Sequence, residues 1–229
     1  EKKERIVPCA ELLFNAFNTM SPIDIRVVIM GQDPYYGGEM VKSKLVPQAT
    51  GLSFSGPYNM TTPKSLTNVY KNLINFRHMK KHPGIGCLTG WVTQGCFLVN
   101  TALTTIYGQS NVHRIVWKPF ALDLIDYLSN TLEDLVFLVW GKQANEICRK
   151  VDPRKHKLIT SSHPSGYSVD TTFSGFGYGV YRDERQRPRL DYPAFSETDH
   201  FGRANQFLAE KGKSRILWDL GHSLDLLSV

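Results

Sequence analysis

Four short apolar runs, rich in β-branched residues, alternate along the chain with segments of helical periodicity. The runs occupy residues 25–30, 96–99, 135–140 and 157–160. Apolar runs of this length are typical of strands that are buried on both faces of a sheet. Parallel strands need a crossover long enough to return along the sheet. The alternation therefore predicts an α/β fold, a single domain over residues 1–229 with a central four-stranded, mostly parallel sheet and helices on both faces.

The helical segments follow residues that start or stop helices. Apolar residues recur at helical spacing after Pro63 and after Asn111, which predicts a helix behind each. Two further helices are predicted at residues 143–150 and 199–211, and Gly212 is placed to end the last one.

Residues 173–189 are rich in glycine, aromatic residues and arginine, and we interpret them as one long loop. Such loops are uncommon inside a compact domain and are usually functional or disordered. The arginines predict either a solvated charged surface or, as the less common outcome, contacts to nucleic acid. They are Arg182, Arg185, Arg187 and Arg189.

Composition excludes several classes of protein. Hydrophobic residues make up 41% of the 229 residues and charged residues 21%, which is enough apolar material for a core and too little charge bias for disorder. The longest apolar runs are far shorter than the roughly 20 residues that cross a bilayer, so no membrane span is expected. The net charge of +6 favours a polyanionic partner such as DNA or RNA.

Polar residues follow each predicted strand at the point where it ends. Asp33 lies two residues after a glycine at the end of the first strand, Asn100 follows the second, Gly141 and Lys142 follow the third, and His163 follows the fourth. Ligands of open parallel sheets bind beyond the carboxyl ends of the strands. A carboxylate, an amide, a backbone turn and an imidazole are therefore expected at one edge. Taken singly, Asp33 is more typical of a turn residue, and His163 of a hydrogen-bonded loop histidine.

These residues stand in six motifs that resemble family 1 uracil-DNA glycosylases, in that family's order and over most of the chain. The motifs are GQDPYYGG (31–38), GLSFS (51–55), PKSLTNVYKNL (63–73), LTGWVTQGCFLVNTALT (88–104), FLVWGKQA (137–144) and HPSGYS (163–168). The resemblance implies a base-flipping DNA repair enzyme that hydrolyses the N-glycosidic bond of uracil, releases the free base and leaves an abasic site. It implies neither a metal nor another cofactor. The divergence of the chain and the extra loop at about 170–196 indicate a large DNA virus as the source.

The resemblance also implies a role for each site residue. Asp33 and His163 would be the catalytic pair, with Asp33 acting on the attacking water and neutral His163 donating a hydrogen bond to the departing base. Four residues would bind uracil: Gln32 through its backbone, Tyr35 against C5, Phe54 by stacking, and Asn100 by pairing with N3 and O4. Five would contact DNA: Ser65, Gly141, Lys142, Ser165 and Tyr167.

Two tyrosines depart from the family's pattern. Tyr167 stands at the wedge position, where the family typically has leucine, and an aromatic wedge can stack on bases as well as fill space. Tyr36 stands where the family usually has histidine, so the resemblance does not extend to the residue that would support Asp33 from this position.

The expected partner is single- or double-stranded DNA that contains uracil, bound by a monomer, with a protein inhibitor or replication protein as a possible further partner. Four widely spaced cysteines without zinc-site spacing predict a reducing compartment with access to DNA, the nucleus or cytoplasm, and not secretion. Two alternatives stay open: a catalytically decayed DNA-binding or replication accessory module on the same fold, and a related glycosylase with wider base tolerance.

Overall fold

Strands and helices alternate along residues 5–220, the part of the chain that this computed structural model describes. The strands are β1 (Ile6–Val7), β2 (Val27–Gly31), β3 (Gly38–Val41), β4 (Lys44–Pro47), β5 (Cys96–Asn100), β6 (Thr105–Ile106), β7 (Val136–Trp140), β8 (Lys157–Ser161), β9 (Phe173–Phe176) and β10 (Arg189–Tyr192). The α-helices are α1 (Asn15–Asn18), α2 (Lys64–Asn75), α3 (Thr89–Val92), α4 (Arg114–Thr131), α5 (Gly141–Cys148) and α6 (His200–Glu210). Residues 1–4 and 221–229, which the predicted domain includes, lie outside the described part.

The four predicted strands form one parallel sheet, in the order β5-β2-β7-β8. The chain runs from β2 outward to β5 and then continues on the other side of β2 with β7 and β8, so the strand order reverses at β2. In sheets of this kind the crevice beyond the carboxyl ends at the reversal point is the usual ligand site. The predicted fold class is confirmed.

Both faces of the sheet are covered. Every residue of β2 and of β7 is buried, and because successive side chains of a strand point to opposite faces, neither face of these strands meets solvent. Helices α5 and α6 pack against β7 and β8, while α1 and α3 pack against β5. No helix in residues 5–220 combines the length and the apolar composition of a membrane span.

The helix ends follow the predicted signals closely. α2 begins directly after Pro63, and α4 begins three residues after Asn111. The side chain of Asp199 caps α6 by accepting from the Gly202 N–H at 2.8 Å. Gly212, in the left-handed region at φ +67°, follows the end of α6. α5 begins two residues earlier than predicted, immediately after β7.

The prediction that residues 173–189 form one long loop is wrong. β9 and β10 pair as an antiparallel hairpin, with Phe173 opposite Tyr192 and Phe176 opposite Arg189. The side chain of Asn145 on α5 continues the ladder, because it accepts from the Phe176 N–H at 2.6 Å and donates to the Phe176 carbonyl at 2.9 Å. The glycines and the interspersed arginines hide the apolar alternation of these short strands.

Arg187 is neither solvated nor free to contact DNA, which corrects both interpretations of that arginine. Its side chain is fully buried and forms two hydrogen bonds with Glu184, at 2.9 and 3.0 Å. It also donates to the carbonyl groups of Arg149 and Gly177, each at 2.7 Å. These contacts fix the far end of the hairpin against the end of α5.

Candidate active site

A cleft of about 480 Å³ opens at the carboxyl edge of the sheet, beside the reversal point at β2. The loops after β2, β5 and β8 form its walls, together with the segment before α2 and the start of that helix. The structure brings nine of the predicted site residues to this cleft: Gln32, Asp33, Tyr35, Phe54, Ser65, Asn100, His163, Ser165 and Tyr167. Gly141 and Lys142 line a second cleft that adjoins the first at His163 and Ser168.

Asp33 is held by hydrogen bonds to both of its carboxylate oxygens. Oδ2 accepts from the backbone N–H of Asn111 at 2.6 Å, and Oδ1 accepts from the Gln32 side chain at 3.3 Å. Burial raises the pKa of the Asp33 carboxyl above its usual value, while these two hydrogen bonds act in the opposite direction. The result is a fixed carboxylate that is more basic than an exposed one.

His163 is a neutral imidazole with a defined tautomer. Its Nδ1 accepts from the backbone N–H of Ser165 at 3.0 Å, so the ring hydrogen of the neutral form lies on Nε2. Burial lowers the pKa of His163 to about 4. At neutral pH the ring therefore offers an N–H donor without a positive charge.

Phe54 forms an aromatic wall of the cleft in a backbone conformation that is uncommon for its residue type. Its φ is +61°. The centroid of its ring lies 5.2 Å from that of Trp140, with the two rings edge-on, and 5.8 Å from that of His163. The Tyr35 hydroxyl donates to the Phe54 carbonyl at 3.0 Å, and burial raises the pKa of that hydroxyl. The neighbouring Ser53 N–H is bonded to the carbonyl of Leu98 in β5, which ties this loop to the sheet.

Asn100 depends on the absence of a side chain at Gly31. The two residues are directly opposite each other in the parallel pair of β2 and β5. A Cβ at Gly31 would lie 2.2 Å from Asn100 Oδ1, well inside van der Waals contact. Glycine at the end of β2 therefore lets the amide of Asn100 occupy the floor of the cleft.

The absence of a side chain at Gly141 likewise makes room for His163. Its φ of +88° favours glycine, and a Cβ there would come within 3.0 Å of the His163 Cβ. The turn from β7 into α5 consequently supports the imidazole from behind. Lys142 follows it and is exposed.

The loop after β8 is fixed by polar contacts on several sides. The Asn68 side chain on α2 donates to the Pro164 carbonyl at 2.8 Å, and the hydroxyl groups of Ser165 and Ser168 are 2.9 Å apart. Ser168 in turn donates to the His163 carbonyl at 3.0 Å. Tyr167 projects from this loop with its surface 100% exposed, which is the geometry that a wedge requires.

Two features of the site have no counterpart in the sequence prediction. Asn111 was predicted only to precede a helix, yet its backbone N–H is a hydrogen-bond partner of Asp33. Because it acts through the backbone, its residue type gives little signal, apart from a tolerance for the left-handed conformation that it adopts at φ +62°. Ser168 was predicted only as part of a motif.

His78 and His82, which are spaced as metal ligands on a helix would be, make other contacts. His78 Nε2 lies 2.8 Å from the Asp199 carboxylate, and His82 Nδ1 accepts from the Gly84 N–H at 3.0 Å. Within residues 5–220 no three or more His, Cys, Asp or Glu side chains form a group that could hold a metal ion. Tyr36, at the departure from the family's pattern, lines the cleft and is about half exposed.

Comparison with known proteins identifies the same family throughout. Residues 17–177 match the model of the uracil DNA glycosylase superfamily. A probable uracil-DNA glycosylase of Acanthamoeba polyphaga mimivirus is 49% identical over 220 residues, which cover 96% of this chain. The chain spans 57% of the length of that relative. The viral relative agrees with the source that the sequence indicated.

Solved structures give the same result. The crystal structure of mimivirus uracil-DNA glycosylase superposes with a TM-score of 0.88 at 48% identity, over 96% of this chain and 76% of the other. A variant of mimivirus UNG in complex with UGI gives a TM-score of 0.89 at 48% identity, over 96% of this chain and 78% of the other.

We expect His163 to remain neutral, with its hydrogen on Nε2, from about pH 5 to about pH 8, because burial opposes the charged form and Nδ1 is already an acceptor. Long-range ¹H–¹⁵N NMR spectra report both the tautomer and the charge. The signals of His163 are identified by their loss in His163→Gln. A titration near the ordinary histidine pKa of about 6.5, or a hydrogen on Nδ1, would contradict the assignment.

Proposed function

The chain belongs to the uracil DNA glycosylase superfamily, and we propose that it hydrolyses the N-glycosidic bond of uracil in DNA, releasing free uracil and leaving an abasic site. The observation that carries this proposal is the presence of a partly buried, fixed carboxylate and a neutral N–H donor in one cleft, Asp33 and His163. A flipped pyrimidine bound between them would meet complementary groups at its sugar and at its base.

Asp33 serves the sugar side of the reaction. As the bond to the base breaks, positive charge develops on the deoxyribose, and a carboxylate next to it stabilises that charge. The same carboxylate orients the attacking water and accepts its proton. Its raised pKa makes it a better proton acceptor, and the Asn111 N–H and Gln32 side chain keep it in one orientation.

His163 serves the departing base. Negative charge develops on uracil, and the Nε2–H donates a hydrogen bond to uracil O2. The Ser165 N–H on Nδ1 holds the ring in the tautomer that this requires. A neutral donor stabilises the developing anion without transferring its proton, and the positioned hydrogen bond needs no reorganisation during the reaction.

The choice of base rests on Asn100 and on the walls of the cleft. The amide of Asn100 has a donor for uracil O4 and an acceptor for N3–H, whereas cytosine presents the opposite pattern at these positions. Phe54 stacks on the ring, the backbone of Gln32 adds a contact, and Tyr35 crowds C5 against the methyl group of thymine. The hydrogen bond from Tyr35 to the Phe54 carbonyl couples the two aromatic walls.

The DNA strand is gripped by short polar groups around the cleft mouth. Ser65 and Ser165 line the active cleft, and the turn of Gly141 and Lys142 lines the adjoining one, so phosphates on either side of the uridine have donors within reach. Tyr167 fills the space that the extruded nucleotide leaves in the stack. The complex of a mimivirus UNG variant with UGI supports a protein inhibitor as a further partner of this chain.

A catalytically decayed DNA-binding module is the weaker candidate. Such a module would have no need for a fixed carboxylate or a fixed imidazole tautomer. Here the hydrogen bonds that set Asp33 and His163 are intact, and the departures at Tyr36 and Tyr167 lie on exposed positions. The rate of uracil release from DNA separates the two functions, because only a glycosylase releases the base.

Replacing either member of the catalytic pair should slow the chemical step strongly. We expect Asp33→Asn and His163→Gln each to lower the single-turnover rate of uracil release from a single-stranded oligonucleotide by about 100- to 1,000-fold, because each group acts on charge that develops in the transition state. Matched controls are Asp126→Asn on α4 and His82→Gln, which alter exposed side chains that line neither cleft.

The controls should release uracil at the parent rate. Equal, background-level release from the parent and from both site variants would overturn the proposed activity and favour the binding module.

Asn100→Asp should relax the choice of base. A carboxylate accepts from the cytosine N4 amino group, so this variant is expected to release cytosine as well as uracil from single-stranded DNA, at a lower rate than the parent releases uracil. Chromatography of the freed bases measures both products. The double variant Asn100→Asp with Asp33→Asn controls for contaminating enzymes and should release both bases about 100- to 1,000-fold more slowly than Asn100→Asp alone. No cytosine release from Asn100→Asp would contradict the role given to Asn100.

A further inference from the structure

A second cleft, of about 500 Å³, adjoins the active cleft and is large enough for a nucleotide. The two clefts share His163 and Ser168. The second cleft is lined by the start of α5 at Gly141 and Lys142 and by the β9–β10 hairpin with the two residues before it. The residues on the hairpin side are Thr171, Thr172, Phe173, Ser174 and Asp191.

The hairpin wall is held rigidly against the body of the protein. Asn145 on α5 bonds both backbone groups of Phe176, and the Tyr192 hydroxyl donates to the Phe176 carbonyl at 2.7 Å. At the other end, buried Arg187 is bonded to two backbone carbonyl groups. Since α5 also begins at Gly141, both walls of the second cleft are built on the same helix.

The lining combines donors for phosphate with one carboxylate. The hydroxyl groups of Thr172 and Ser174 and the ammonium group of Lys142 can donate to phosphate oxygens, whereas the Thr171 hydroxyl already donates to the Ser168 carbonyl at 3.1 Å. Asp191 is exposed, and its carboxylate forms no ion pair or hydrogen bond among the contacts of residues 5–220. A carboxylate is a poor neighbour for phosphate, but it accepts well from the amino groups of bases.

We propose that this second cleft binds the nucleotide next to the extruded uridine on the same strand, with its phosphate at Lys142 and its base against Asp191. The inference rests on the proposed uracil release, since it extends the same bound strand by one nucleotide. Adenine, cytosine and guanine carry an exocyclic amino group that Asp191 can accept from, and thymine carries none. Asp191 thus makes cleavage depend on the neighbouring base. The family match ends at residue 177, so Asp191 lies beyond the matched residues.

The test is the rate of uracil release, as kcat/KM, from single-stranded oligonucleotides that carry each of the four bases on either side of the uridine. Single strands leave the amino groups free of Watson–Crick pairing. On one side of the uridine we expect thymine to be disfavoured by about fivefold, the lower end of what a good side chain–base contact contributes. Asp191→Ala should remove this difference, and Asp191→Asn should reduce it, because an amide can also donate to thymine O4.

Asp183→Ala is the matched control, because it removes the same charge from the far end of the same segment, outside both clefts. It should keep the parent's preference. If the parent releases uracil without regard to either neighbour, or if Asp191→Ala keeps the preference, the subsite is wrong while the proposed activity stands. If the parent releases no uracil from any substrate, the proposed activity and the subsite both fall.

Discussion

The register of the parallel strands, which brings the carboxyl ends of all four to the same edge of the sheet, is the constraint on which the site depends. Gly31 lies opposite Asn100 in the pair of β2 and β5, and Trp140 lies opposite Ser161 in the pair of β7 and β8. The chain leaves all four strands at the same height, so their loops meet above the point where the strand order reverses. Asp33 and His163 lie on two of those loops, Asn100 is the last residue of β5, and all three line one cleft.

Burial acts in opposite directions on the two groups that carry the proposed chemistry, and both directions are useful. It raises the pKa of Asp33, which makes the carboxylate more basic, and it lowers the pKa of His163, which keeps the imidazole uncharged. Backbone N–H groups then complete the site: that of Asn111 fixes the carboxylate, and that of Ser165 sets the tautomer of the ring. These two backbone N–H groups therefore set the orientation of the carboxylate and the tautomer of the ring, and neither contact depends on the side chain of the residue that makes it.

The difference between contacts made by side chains and contacts made by backbone groups explains which features the sequence could predict. Buried strands leave an unmistakable apolar signal, so β2, β5, β7 and β8 were predicted to within two residues, and their exits pointed to the cleft. The resemblance added the substrate and the site residues. The hairpin was missed because glycines and arginines mask its short strands, and because its ladder is completed by Asn145 from a helix. Asn111 was missed because a backbone contact depends on tertiary position.

The central claim is that one cleft holds a flipped uracil between Asp33 and His163, and a crystal structure of the protein with free uracil tests it most directly. The account predicts the base stacked on Phe54, its O2 within hydrogen-bond distance of His163 Nε2, and its N3 and O4 paired with the Asn100 amide. Uracil bound elsewhere, or bound in this cleft with O2 directed away from His163 and its N3–O4 edge away from Asn100, would contradict it.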